Sequence, residues 1–201
     1  PVKWSYYCLY VIIDVDSRYV VGWLIADRES STLAQRLISQ SCRRQGIVQG
    51  ELTLRADWGS SMRSKPVAML LAELGVTKTH SGPNTSDDNP FSEAQFKTLR
   101  YRPAFPDRFG SIEDARAHCA DFFQWYNDEH HHSGLALLTP GDVHYQRVND
   151  RIIERQAALD AAYRAHPGRY PRGRPAAAMP ASEVWINKPK QAPGADDALE
   201  M

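Results

Sequence analysis

Arg55-Ala56-Asp57-Trp58-Gly59-Ser60-Ser61, and further on Ser86-Asp87-Asp88-Asn89-Pro90-Phe91-Ser92-Glu93-Ala94-Gln95-Phe96-Lys97, decide how the rest of this 201-residue chain reads. Leu52 to Ala56 is a strand-like run that delivers Asp57 into a Gly/Ser turn. Asn89 can cap a helix whose first position is Pro90, where no amide hydrogen is needed, and Glu93 then falls in the first helical turn. Thirty-five residues lie between the two acids. Carboxylates at rigid strand and helix positions can converge in space while far apart in sequence, and hard divalent cations are bound by a few such groups. Each acid also has an ordinary structural use. Asp before Gly suits a turn, and Glu in a first turn suits the helix dipole. Glu93, Lys97 and Arg100 share one face at helical spacing, with Arg102 and Arg108 extending a basic neighbourhood.

Outward from this centre, Trp4–Ile13 and Tyr19–Ile25 are rich in Tyr, Val and Ile around Asp14-Val15-Asp16-Ser17-Arg18, the pattern of a β-hairpin. Asp14 reads as a turn residue. Ser30 to Gln45 predicts a helix, capped by Ser30 or Ser31 and ended by Gly46. Ser64 opens another, with Val67, Leu70, Leu71 and Leu74 inward and Gly75 as terminator, followed by a short strand over Val76–His80. Ser81 to Asp88 is a polar loop. Ser111, with Asp114 three residues on, caps a helix whose buried stripe is Ile112, Ala115, Cys119, Phe122 and Tyr126. Asn149 to His166 predicts a last helix with Ile152, Ile153, Gln156, Leu159 and Tyr163 inward. Pro167 to Pro193 turns to Pro, Ala, Gly and Arg, a composition that fits either a basic tail touching the DNA backbone or a solvated linker. Its one apolar word, Val184-Trp185-Ile186, can dock on the core or on a partner.

Lys plus Arg and Asp plus Glu number 24 each, a balance that argues against strong stand-alone DNA binding. Cys8, Cys42 and Cys119 lack metal-ligand spacing and read as free thiols in a reducing compartment. No apolar run reaches membrane-spanning length, and no signal peptide is visible. His130-His131-His132 are consecutive and cannot all face one ion on a regular element, so they read as structural.

The phrases Y-V-I-I-D-V-D-S-R-Y-V-V-G-W, R-A-D-W-G-S, D-N-P-F-S-E-A-Q-F-K-T-L and Y-N-D-E-H-H-H-S-G-L with its following T-P resemble the integrase core of bacterial insertion-sequence DDE transposases. The resemblance runs from Tyr6 to about His144. It implies a ribonuclease-H-like α/β fold, a mixed sheet flanked by helices, truncated at the first strand. The expected organisation is a catalytic core over 1–146, a helix over 147–166 and a Pro/Ala/Arg-rich tail over 167–201. It further implies that Asp57 and Glu93 are catalytic and bind Mg²⁺ or Mn²⁺, and that Lys97, Arg100 and Arg102 contact DNA. The reaction implied is two-metal strand cleavage and transfer at transposon ends and target, by a homo-oligomer on DNA in a bacterial cytoplasm, at the nucleoid. The family's first Asp lies on a strand that would precede this hairpin. Asp14 matches the hairpin instead, so the chain alone is expected to be inactive. The competing reading is a silent remnant or DNA-associated module that keeps Asp57 and Glu93 as scaffold acids.

Overall fold

Alternating β-branched and aromatic residues make the opening hairpin. β1 (Cys8–Ile13) pairs antiparallel with β2 (Val20–Ala26), Val11 opposite Trp23, with an irregularity at Ile12/Ile13. The computed structural model describes residues 6–48, 50, 52–56, 64–80 and 90–186. Asp14 acts as the turn residue expected. Its amide donates to Tyr19 O at 2.8 Å, and its carboxylate accepts from the Asp16 amide and the Ser17 hydroxyl.

Helix α1 (Ser31–Gln45) ends at Gly46, whose φ of 63° is the left-handed cap that glycine adopts at least cost. Ala34, Leu37, Ile38 and Cys42 form its buried face. It crosses β2 closely at Gly22, where an added Cβ would run into Ser41 Oγ. Strand β3 (Thr53–Ala56), helix α2 (Lys65–Glu73) and strand β4 (Thr77–His80) follow. The two strands are parallel, with Ala56 opposite His80. Ala34, Ile38, Cys42, Val67, Leu71 and Val76 make the cluster that binds α1 to this unit. Antiparallel and parallel pairing are thus both present, as the mixed sheet requires. Among the described residues they form two separate pairs, with no strand hydrogen-bonded between them.

Helix α3 (Pro90–Arg100) begins at the proline, as its sequence predicts; Asn89 lies outside the described residues. Helix α4 (Ile112–Asp128) is capped by the Ser111 hydroxyl, which accepts from Asp114 N at 3.0 Å. Of its expected stripe Ala115, Cys119, Phe122 and Tyr126 are buried, joined by Phe123, against Val20 and Ile25 of β2 and Leu99 of α3, while Ile112 is only partly buried. At its end the Asn127 side chain takes the place of a neighbouring strand. Val20 N donates to Asn127 Oδ1 at 2.9 Å, and Asn127 Nδ2 donates to Val20 O at 3.2 Å.

The short helix α5 (Pro140–His144) is capped by Thr139 and held to the hairpin turn through His144. His144 lies flat on Tyr19 at 4.3 Å, with Nδ1 3.2 Å from Asp14 Oδ2 and Nε2 2.9 Å from Gln45 Oε1. Helix α6 (Val148–Ala165) departs from its expected inner row. Ile153 is 68% exposed and no α6 residue is buried. Polar tethers replace an apolar stripe. Arg155 donates to the carbonyls of Ala136 and Leu137, and Arg147 and Arg151 pair with the buried carboxylate of Asp142. Burial pushes the Asp142 pKa up, but bonds from Arg151 and Thr139 with the charge of Arg147 outweigh it and leave it lowered. The Pro-rich segment runs back along α6: Arg174 chelates Asp160, the Gln156 amide bonds Pro175 O and Ala177 N, and Tyr170 meets Tyr163 edge-on. Its apolar word stays half-open, with Trp185 exposed.

Candidate active site

Asp57 directly follows Ala56, the last residue of β3, and lies outside the described residues with the turn it enters. Glu93 is described. It stands exposed in the first turn of α3, and among the described residues it forms no ion pair. Lys97 and Arg100 are exposed as well, on the face Glu93 occupies. Although Glu93 and Lys97 stand at i and i+4, they form no ion pair among the described residues. Arg102 does not join them. Its guanidinium lies 4.0 Å over the Trp125 ring of α4, a cation–π contact that spends its flat face on the protein.

The other side of α3 carries the half-buried Phe91 and the buried Gln95 and Leu99. Leu99 belongs to the main apolar cluster. Gln95 is 1% exposed, and neither amide atom finds a hydrogen-bond partner among the described residues. Phe91, two residues before Glu93, receives the Arg18 guanidinium at 3.5 Å from its ring centroid. Arg18 sits in the hairpin turn at φ 63° and also donates to Val15 O. The sequence marks this Arg only as a turn neighbour, and nothing local pairs it with a phenylalanine so distant along the chain.

The histidines after α4 pack as rings. His130 lies 4.7 Å from Trp125, and His132 meets Tyr126 edge-on at 5.0 Å. Burial, with His130 and Arg18 nearby, lowers the His132 pKa to about 4. A folded-state value below the ordinary 6.5 means that only the unfolded chain takes the proton between those limits. Stability from this group is full above pH 6.5 and drains as pH falls toward 4. His132→Phe, which keeps a ring but cannot titrate, should therefore show a flatter melting temperature across that window than the parent. Parallel curves would remove His132 from the acid response.

A cleft of about 690 Å³ lies elsewhere, lined by Asp128, Asp142, Arg147, Arg151 and Arg155 among others. Its arginines are committed to Asp142, Glu154 and backbone carbonyls, so it offers few free donors and lies apart from Glu93's surface. Among the described residues no group of His, Cys, Asp and Glu is placed to hold a metal; Asp57 is not among them.

A hairpin, a parallel pair joined through a helix, and helices bearing an acid on an open face define a ribonuclease-H-like architecture. Solved structures agree on the fold. The chain superposes on the catalytic core domain of BIV integrase with a TM-score of 0.53 at 19% identity, covering 71% of this chain and 88% of that one. It superposes on a chain of the simian T-cell lymphotropic virus intasome in complex with PP2A regulatory subunit B56 gamma with a TM-score of 0.54 at 19% identity, covering 71% and 49%. The integrase core domain family matches over residues 1–86 and again over residues 74–140. The transposase for insertion sequence element IS904 of Lactococcus lactis subsp. lactis (strain IL1403) is 29% identical over 143 residues, 71% of this chain and 56% of that protein. The putative transposase InsK for insertion sequence element IS150 of Escherichia coli (strain K12) is 21% identical over 141 residues, 70% and 50%. The chain belongs to the integrase core family, whose matches together run over residues 1–140, and it resembles transposases of insertion sequences. It spans about half the length of the curated relatives it matches.

Proposed function

We propose that this chain is the part of a transposase that cleaves DNA strands at transposon ends and joins them to target DNA, with Asp57 and Glu93 holding divalent cations. The observation that carries the reading is Glu93: an exposed carboxylate, without an ion pair among the described residues, on a helix face with two cations, in a chain of the integrase core family. The donor chemistry fits. Two carboxylates offer hard oxygens, and Mg²⁺ or Mn²⁺ takes its remaining positions from water and phosphate oxygens. A bound cation of this kind supplies charge stabilisation at a transferring phosphoryl group and makes an attacking oxygen more available. Asp57, at the end of a strand, and Glu93, on a helix, would give that charge a fixed place without long flexible side chains. The protein is further proposed to work as a homo-oligomer on DNA.

Lys97 and Arg100 are the anchors of the reading. Long cations beside a scissile phosphate position the strand, and such contacts carry little sequence information. Replacing both by Ala should weaken binding to unrelated duplexes by similar factors and flatten the log–log salt dependence by up to about two units. Arg102→Ala should change that slope less, because Trp125 holds its guanidinium. Measured duplex by duplex, a loss confined to one sequence would show that these residues read bases. An unchanged salt slope in the double variant would remove DNA from this helix face.

A further inference from the structure

Phe91, Gln95 and Leu99 form one row on the inner side of α3, with Arg102 just past its end. The row is uneven. Leu99 joins the apolar cluster and Arg102 lies on Trp125, so the C-terminal half is well anchored. The N-terminal half has a buried amide at Gln95 whose polar atoms find no partner among the described residues, a poor anchor because such groups oppose burial. What the first turn does have is the Arg18 guanidinium over Phe91 at 3.5 Å. Arg18 comes from a rigid source. Asp14 and Ser17 close its turn, His144 and Gln45 clasp that turn to α5 and α1, and its own guanidinium bonds Val15 O.

We propose that Arg18 is a positioning residue for Glu93, fixing the first turn of α3 through its stack on Phe91. This rests on reading Glu93 as a cation ligand. The flat guanidinium is what the contact uses, so a lysine of equal charge does not replace it. Arg18 needs no contact with DNA or metal for this role: it sets where the carboxylate stands, and the hairpin turn becomes part of the site without contributing a ligand.

The test compares the full chain with Arg18→Ala, Arg18→Lys, Phe91→Leu, Phe91→Tyr and Glu93→Gln. Two quantities are read beside the melting temperature. One is hydrogen exchange at the amides of Ala94 to Lys97, whose bonds close on the carbonyls of the first turn. The other is the dissociation constant for Mn²⁺ alone. Arg18→Ala, Arg18→Lys and Phe91→Leu should speed that exchange and weaken Mn²⁺ binding, each by about tenfold, the scale of a partly desolvated cation–π contact. Phe91→Tyr, which keeps the ring, should stay near the parent in both. Glu93→Gln should lose Mn²⁺ while leaving exchange unchanged. Parental exchange in both Arg18 variants overturns the proposal whatever the metal does. Faster exchange with parental Mn²⁺ affinity, in a protein where Glu93→Gln does lose the ion, also overturns it. Parental affinity in Glu93→Gln overturns the metal reading itself, and the positioning role falls with it.

Discussion

Asn127→Ala should cost the fold about 3 kcal/mol, the cost expected when a buried backbone amide and carbonyl both lose their partner. The Asn127 side chain bonds both Val20 N and Val20 O, 107 residues away, inside the cluster that joins α4 to β2. Removing it strands both groups where water does not reach, and the small alanine also leaves a gap. Asn127→Asp keeps the acceptor, loses the donor and buries a charge, so it should be no milder. Urea unfolding followed at unchanged m-value is the check. A loss below about 1 kcal/mol would mean that Val20 finds other partners and that α4 is held by its apolar stripe alone.

In a form of the protein extended to supply the first-strand Asp that the resemblance implies, Asp57→Asn and Glu93→Gln should each reduce DNA strand cleavage and transfer at least about a hundredfold, while the melting temperature stays near that of the parent. The magnitude follows from the several kcal/mol of charge stabilisation that a correctly held cation supplies to phosphoryl transfer. Both substitutions conserve shape and remove only charge and ligand strength. Glu93 is exposed and unpaired among the described residues, so its neutralisation gives up no described internal contact. A variant that keeps more than about a third of parental activity, far outside that expectation, would show that its acid serves the scaffold. Equal loss of activity and of melting temperature would say the same by another route.

Much of the fold was legible because local chemistry sets it. The Ser30-to-Gly46 helix, the Ser111 cap with its stripe and the Pro90 start each follow from residues within a turn or two of one another. Asp14 too was readable, since its turn bonds are made within five residues. What stayed hidden depends on distant partners. Asn127 looks like any polar residue beside a buried tyrosine until β2 lies against it. Arg18 looks like turn punctuation until Phe91 arrives. The α6 reading failed at Ile153 because an apolar row predicts burial only where a second surface covers it, and here arginines and the returning Pro-rich segment do the holding. At the site, charge and spacing picked Lys97 and Arg100 onto one exposed face with Glu93. The same reasoning could not foresee that Trp125 claims Arg102.

Whether Asp57 and Glu93 share divalent cations is tested most directly by anomalous diffraction from crystals of this protein grown with Mn²⁺. The predicted result is an anomalous peak within ordinary metal–oxygen distance, about 2.0–2.3 Å, of a carboxylate oxygen of each residue. It should vanish in crystals of Glu93→Gln. Carboxylates facing away from each other across the parallel strands, or a peak held by other residues and indifferent to Glu93→Gln, would contradict it.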